Sequence, residues 1–396
     1  MEKRLLSLDV ENFRSLRKVS VPLNALNVLV GPNAAGKTNL LEVFRFLADL
    51  IGTDLQPALD IRGGFDEIVF RGGEKPANFI RIGLKATWTT NSSRSAPDEY
   101  SLRITRLGTG QALGRRESFQ FKRTQGRGRR ITISGQRVHV VDTGRDAGER
   151  QLGISAMSSG LSTLPRLSDD RGGSEVATVA QRLASFRVFD VRVDAARLPS
   201  RFPWRGHEAL ADDAANLAGF LLNLRSRDDA SWQLLVDDAK EVLPQLDGID
   251  FEYPSGAARE VVVVLHERGL RRPTQLADAS YGTIRLLGLL ALLYDPEPPA
   301  LTCVEEIDHG LHPQALELLV ERLREASERT QFLIATHSPA LADRLTPDEL
   351  IVCERRGDGS SSIPALSAKD LQRIVARSED TPLGELWFSG ALGGDL

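Results

Sequence analysis

Apolar positions change period several times along the chain. Leu5, Leu8 and Val10 precede Asn12-Phe13-Arg14, and Leu26-Asn27-Val28-Leu29-Val30 is nearly all apolar. Residues 4–13 and 18–30 therefore read as short strands, the second ending in a buried one. Leu40, Leu41, Phe44 and Leu47 fall at helical spacing, which predicts a helix from Asn39 to Leu50. From 77 to 141 the period becomes two, with Ile80, Ile82, Leu84 and Ala86 on one face, then Leu102 and Ile104, then Phe119 and Phe121. That pattern predicts an antiparallel meander. Helical spacing returns at 175–185, 208–226 and 231–243, with an alternating strand-like run at 186–193. Strands are expected at Phe251 and Val261–Leu265, then a helix Tyr281–Leu293, a strand Leu301–Val304, a helix Pro313–Ser327 and a strand Gln331–Ala335.

Apolar strands separated by helices predict an α/β fold around a mostly parallel central sheet. An antiparallel β subdomain and a helical insertion are attached to it. The expected division is an N-terminal lobe at 1–76, the antiparallel subdomain at 77–150, a mainly helical, lid-like region at 151–272 and a C-terminal lobe at 273–396. The 396 residues are enough for about two to three domains.

Net charge is −4, so any contact with nucleic acid needs a local basic patch. The segment 115–130 offers one: Arg115, Arg116, Lys122, Arg123, Arg127, Arg129 and Arg130, interleaved with Phe119 and Phe121. As a hairpin it would present cations to the phosphate backbone of DNA. The competing reading is a solvated strand pair whose apolar side packs on the body. Two cysteines exclude a disulfide framework and fit a reducing compartment, so a cytoplasmic location is expected. The first residues lack a long apolar core, and the longest apolar stretch, near Leu286 to Leu293, is too short to span a bilayer. No membrane association is expected.

The chemistry starts at Gly31-Pro32-Asn33-Ala34-Ala35-Gly36-Lys37-Thr38, which fits G-x-x-x-x-G-K-[ST] between a buried strand and an amphipathic helix that Asn39 opens. Such a loop turns its amides inward as an anion nest, and the helix directs its positive end at the same point. ATP is the expected ligand, with Lys37 on the β- and γ-phosphates and the Thr38 hydroxyl on Mg²⁺. Leu301–Val304 delivers Glu305 and Glu306, which point to opposite sides of the strand end. Glu305 is assigned to the metal and Glu306 to the attacking water. A solvated acidic turn is the alternative. The strand Gln331–Ala335 delivers Thr336 and His337, placing His337 as a hydrogen-bond donor to the γ-phosphate.

Together these segments resemble the P-loop ATPase heads of ABC type found in the SMC, RecF and OLD-like group, and most of all stand-alone RecF-like AAA-family ATPases of bacteria. The resemblance starts at Asn12-Phe13-Arg14-Ser15, with Arg14 taken as a nucleotide contact, and runs through the phosphate loop. Ala279-Ser280-Tyr281-Gly282-Thr283-Ile284-Arg285 resembles the family signature, and Glu305-Glu306 the Walker B pair. Gly310-Leu311-His312-Pro313 resembles the D-loop, and Thr336-His337-Ser338-Pro339 the H-loop. The signature departs from the family pattern at Ala279, where leucine is usual. Ile307-Asp308 stands where Pro-Glu is usual.

The resemblance implies a homodimer that sandwiches two ATP molecules, each phosphate loop facing Ser280 and Gly282 of the other copy. Ser280 also reads as an ordinary helix N-cap. The implied role is an ATP-hydrolysing switch in DNA repair or anti-phage defence, working alone or with a separately encoded effector protein. A regulatory ATP-binding subunit with little turnover is the alternative. The chain has no sustained heptads for a coiled-coil arm and no acidic cluster after His337 for a nuclease centre.

Overall fold

The computed structural model describes residues 3–73, 75–108, 110, 112–142, 145–151, 155–166, 173–201, 209–254, 259–378 and 381–393. The N-terminal alternation becomes strands β1 (Leu5–Phe13) and β2 (Leu16–Pro22), and the apolar run becomes β3 (Leu26–Val30). Helix α1 (Lys37–Thr53) follows the glycine loop, and α2 (Leu55–Asp60) and α3 (Phe65–Ile68) extend it. The meander supplies β4 (Phe79–Ala86), β5 (Asp98–Arg106), β6 (Leu113–Phe121), β7 (Arg129–Ser134), β8 (Arg137–Asp142) and β9 (Arg145–Gln151).

Next come α4 (Gly160–Thr163), α5 (Gly173–Ala184), β10 (Arg187–Phe189), α6 (Val193–Ala196), β11 (Ser200–Arg201), α7 (Leu217–Arg227) and α8 (Asp229–Val242). A small antiparallel sheet holds β11, β12 (Leu246–Glu252), β13 (Glu260–Glu267) and β14 (Thr274–Gln275). The C-terminal part adds α9 (Tyr281–Leu293), β15 (Leu301–Glu305), α10 (Pro313–Ala326), β16 (Gln331–Thr336), α11 (Pro339–Ala342) and β17 (Leu350–Val352).

The parallel sheet expected at the centre is present but has only five strands, and the largest sheet is the antiparallel one, which also takes in β1 and β2. Eight strands run antiparallel in the order β2-β1-β4-β5-β6-β7-β8-β9, and a separate five-stranded sheet has the order β10-β15-β16-β3-β17. Its β3 pairs parallel with both β16 and β17. The burial patterns give the reason. Strands β1 and β2 bury only one set of residues, Leu5, Leu8, Val10 and Phe13 and then Leu16, Val19 and Val21, so they suit the one-faced meander, whereas β3 and β16 are buried throughout. A strand with two buried faces needs a layer on each side.

Those layers are visible in the core. Leu29, Cys303, Leu333 and Ile351 face a core shared with α1 and the antiparallel sheet. Val28, Val30, Val304 and Ile334 face the opposite core, built with α9 and α10. Helix α1 is thus held between the two sheets. The parallel sheet is the middle layer, and its strands β3, β15 and β16 end side by side.

The basic segment 115–130 does not form one cationic face. Arg115 is buried against Glu117, and Arg123 and Arg129 are held by Asp142 and Glu175. Phe119 and Phe121 turn into the core. Strand alternation divides the cations between the two faces, so a count along the sequence overstates the patch.

Candidate functional site: a phosphate cleft at three strand ends

The loop after β3 is shaped by two positions that lack room for side chains. A Cβ on Gly31 would lie 2.3 Å from the Cys353 carbonyl oxygen, and Gly36 has φ +103° with a Cβ position 2.1 Å from Ser361 Oγ. Ala34 also adopts a left-handed conformation, φ +64°. The turn delivers the chain into α1, where the first intrahelical bond runs from Leu40 N–H to the Gly36 carbonyl at 3.0 Å. The amides of Lys37, Thr38 and Asn39 precede that bond and need other acceptors, which makes the helix start suited to anions.

Lys37 Nζ donates to the carbonyls of Gly31 at 2.6 Å and Pro32 at 3.0 Å, folding over its own loop. Burial draws its ammonium below the ordinary lysine range, while the nearby acids Glu306 and Asp308 oppose the shift. Thr38 Oγ1 donates to Glu305 Oε2 at 3.1 Å. Burial pushes the Glu305 carboxyl up, against the Thr38 hydrogen bond and the Arg45 charge, which lies 4.0 Å away.

Glu306 leaves the strand in a left-handed conformation, φ +48°, and its N–H donates to the Ala335 carbonyl at 2.9 Å. His337 follows the last residue of β16, where the Thr336 hydroxyl bonds both Asp308 and the Ser338 amide. One cleft of about 230 Å³ is lined by Asn33 to Asn39 together with Glu305, Glu306, His337 and Arg355. Residues separated by some three hundred positions in the sequence meet because β3, β15 and β16 are neighbours.

Other expected site residues lie elsewhere. Gly31 and Pro32 shape the loop and accept from Lys37. Arg14, φ +48°, sits in an adjoining groove with Ser15, Asn39 and Arg355, 3.8 Å from Glu42. Asn39 Nδ2 donates to Ser15 Oγ at 2.7 Å, tying the turn after β1 to the loop. Ser280 and Gly282 lie outside the cleft of their own chain. Ser280 Oγ caps α9 by accepting from the Thr283 amide, and Gly282 packs against the Gly310 carbonyl.

Two residues went unassigned from the sequence. Arg355 reaches the Ala34 carbonyl at 3.4 Å from the two-residue strand Glu354–Arg355 that follows β17, too short to show a period. Arg285, in the signature, is buried beneath the acid pair and bonds its main-chain oxygens. The run Ser280 to Arg285 was the available signal.

The cleft offers amides, an ammonium, a hydroxyl and carboxylates. Among the described residues no group of three or more His, Cys, Asp or Glu side chains could hold a metal alone. This donor set fits Mg²⁺, which takes one or two protein oxygens and completes its shell with phosphate and water. It does not fit a metal that requires a protein cage.

Fold and cleft define an ABC-type ATPase domain of the SMC, RecF and OLD group. The chain belongs to the AAA_21 family, "AAA domain, putative AbiEii toxin, Type IV TA system", which matches residues 26–343. It is 37% identical over 73 residues to an OLD nuclease of Thermus scotoductus, covering 15% of this chain and 14% of that protein. It is 46% identical over 59 residues to the DNA replication and repair protein RecF of Lactobacillus acidophilus, covering 12% of this chain and 16% of that protein. The chain thus matches only a small part of the length of these curated relatives. In structure it is similar to an Smc head bound to the C-winged helix domain of ScpA: TM-score 0.56, 14% identity, 93% of this chain and 99% of that one. A Pyrococcus furiosus Smc head with an extended coiled coil gives TM-score 0.50 at 13% identity, over 95% of this chain and 99% of that one. At these identities the likeness shows the fold. Among the described residues no helix is long and apolar enough to cross a membrane.

Proposed function

We propose that the protein binds and hydrolyses ATP with Mg²⁺ and uses ATP-dependent head dimerisation as a switch in DNA repair or anti-phage defence. The observation that carries this reading is the single cleft in which Lys37, Thr38, Glu305, Glu306 and His337 converge from three strand ends. Lys37 and the amides opening α1 bind the phosphates. Thr38 and Glu305 would hold the metal, which would supply charge neutralisation to the bound phosphates. Glu306 orients the attacking water and accepts its proton, and His337 donates to the γ-phosphate.

Ser280 and Gly282, at the positive end of α9, reach the γ-phosphate bound by a second copy. Their position outside the cleft of their own chain supports that assignment. The names of the relatives, a replication and repair protein and a nuclease, support a setting in DNA metabolism, and the toxin–antitoxin system named in the family description supports one in defence; a cytoplasmic location fits both. A separately encoded effector fits the same setting.

A second reading is a regulatory subunit with little turnover. Size-exclusion chromatography with light scattering on Glu306→Gln tests the switch. A dimer with ATP–Mg²⁺ and a monomer without it are expected, with Lys37→Ala a monomer throughout. A Glu306→Gln protein that stays monomeric with saturating ATP–Mg²⁺ contradicts the switch.

A further inference from the structure

The outward face of the eight-stranded sheet is a trough with a basic wall. Strand register aligns Glu11, Arg81, Arg103 and Arg116 in one row across β1, β4, β5 and β6. The next row on the same face is Asp9, Gly83, Ser101, Ser118 and Thr132, all short side chains. The third is Lys85, Glu99, Gln120 and Arg130. The outer rows are four residues apart along each strand, hence roughly 13 Å, and the rows cross strands about 4.8 Å apart. A concavity of about 430 Å³ lies over the short row, lined by Arg81, Lys85, Arg103, Arg116 and Arg130 and by the outward acids Asp9 and Glu99.

Folding does not account for this row. Arg103 lies directly opposite both Arg81 and Arg116, and like charges in that arrangement destabilise a sheet. Glu11 offsets part of the cost at Arg81, at 2.9 Å, and the Phe79 ring lies 3.7 Å under the Arg103 guanidinium. Among the described residues the Arg116 side chain has no hydrogen bond or ion pair. Gly83 is not required by packing either, since a Cβ there would meet Asp9 atoms at an ordinary 3.5 Å. A protein of net charge −4 thus maintains adjacent arginines beside a low floor.

We infer that this trough binds the phosphodiester backbone of a nucleic-acid strand. A line of guanidiniums at strand spacing suits a line of phosphates, each able to take a forked hydrogen-bond pair. Tyr100 and Phe119, the aromatic residues bordering the concavity, turn their rings into the core, leaving no platform there for base stacking. Binding is therefore insensitive to sequence and steeply dependent on salt. The inference deepens the nucleic-acid part of the proposed function, rests on that reading, and keeps Arg116 and Arg130 of segment 115–130 while adding Arg81, Lys85 and Arg103 from β4 and β5.

Fluorescence anisotropy with labelled single-stranded and duplex DNA of mixed sequence, at low and physiological salt, tests it on the full chain. The Arg103→Glu/Arg116→Glu double variant should bind at least about 10-fold more weakly with a shallower salt slope. Gly83→Leu, which raises the floor without changing charge, should bind several-fold more weakly. Lys369→Glu, an exposed site on the helix Ala368–Arg377, should match the parent. ATP turnover and far-UV circular dichroism in the same samples should be unchanged. Parent protein that binds neither DNA form removes the nucleic-acid reading itself. DNA binding that both trough variants leave intact retains that reading and overturns the trough. Displacement of DNA by poly-glutamate at equal charge concentration also overturns the assignment to phosphodiester.

Discussion

Arg285 Nη2 donates to the main-chain oxygens of both Glu305, at 3.2 Å, and Glu306, at 2.5 Å, while Nη1 reaches the Val191 carbonyl at 2.7 Å. The side chain that leaves the first turns of α9 therefore fixes the backbone from which the acid pair projects. The helix start proposed to meet a second nucleotide is tied to the chain's own acids by one buried guanidinium. A lysine has no planar fork and cannot hold the same acceptors. Arg285→Lys should lower phosphate release at least about tenfold while changing ATP affinity less than about threefold. Arg285→Ala should in addition cost about 1–3 kcal/mol in urea unfolding, through the carbonyls left unpaired. Equal losses in affinity and turnover for Arg285→Lys would remove it as a positioning residue.

Gly36→Ala tests the loop geometry. A left-handed conformation costs a residue with a side chain about 1–2 kcal/mol, and here the added methyl also meets Ser361 Oγ. Loss of ATP binding by isothermal calorimetry is expected, with a lower Tm. Parental affinity in this variant would show that the loop does not cradle phosphate.

The raised pKa of Glu305 gives a signed dependence on pH. Burial favours its neutral form in the folded state. The stability from this group is complete at acid pH and is lost as pH rises from the ordinary carboxylate range through the raised value. Near neutrality, ligand-free Glu305→Gln should melt higher than the parent, with the difference vanishing in acid. The increase in Tm that Mg²⁺ adds to ATP should be large in the parent near neutrality and lost in the variant. A variant that melts lower than the parent at neutral pH without ligand would contradict the burial argument.

Beneath the antiparallel sheet, Glu117 accepts hydrogen bonds from Tyr100 at 3.1 Å, Ser159 at 3.3 Å and the Gly160 amide at 2.8 Å, beside the buried Arg115. Glu117→Ala leaves the Arg115 charge without its carboxylate and should cost about 3–5 kcal/mol in urea denaturation. A loss under about 1 kcal/mol would show that water or main-chain oxygens replace the carboxylate.

Much of this was legible in the sequence where the signal is local. Helix α9 has the bounds its largely apolar sequence and Ser280 cap predict, and the phosphate loop, the acid pair and His337 could be read from strands that end in polar clusters. What failed was pairing. The alternation in β1 and β2 showed one buried face but not which sheet would use it. The cations of 115–130 read as one patch because their partners Asp142 and Glu175 are distant in sequence. The contacts of Arg285 and Arg355 arise only when separate strands are brought together.

The central claim is that Glu306 acts on the water that attacks bound ATP, and phosphate release under single-turnover conditions tests it most directly. Glu306→Gln should bind ATP–Mg²⁺ within about threefold of the parent and release phosphate at least about 100-fold more slowly. Release at the parental rate from fully bound Glu306→Gln would contradict the account.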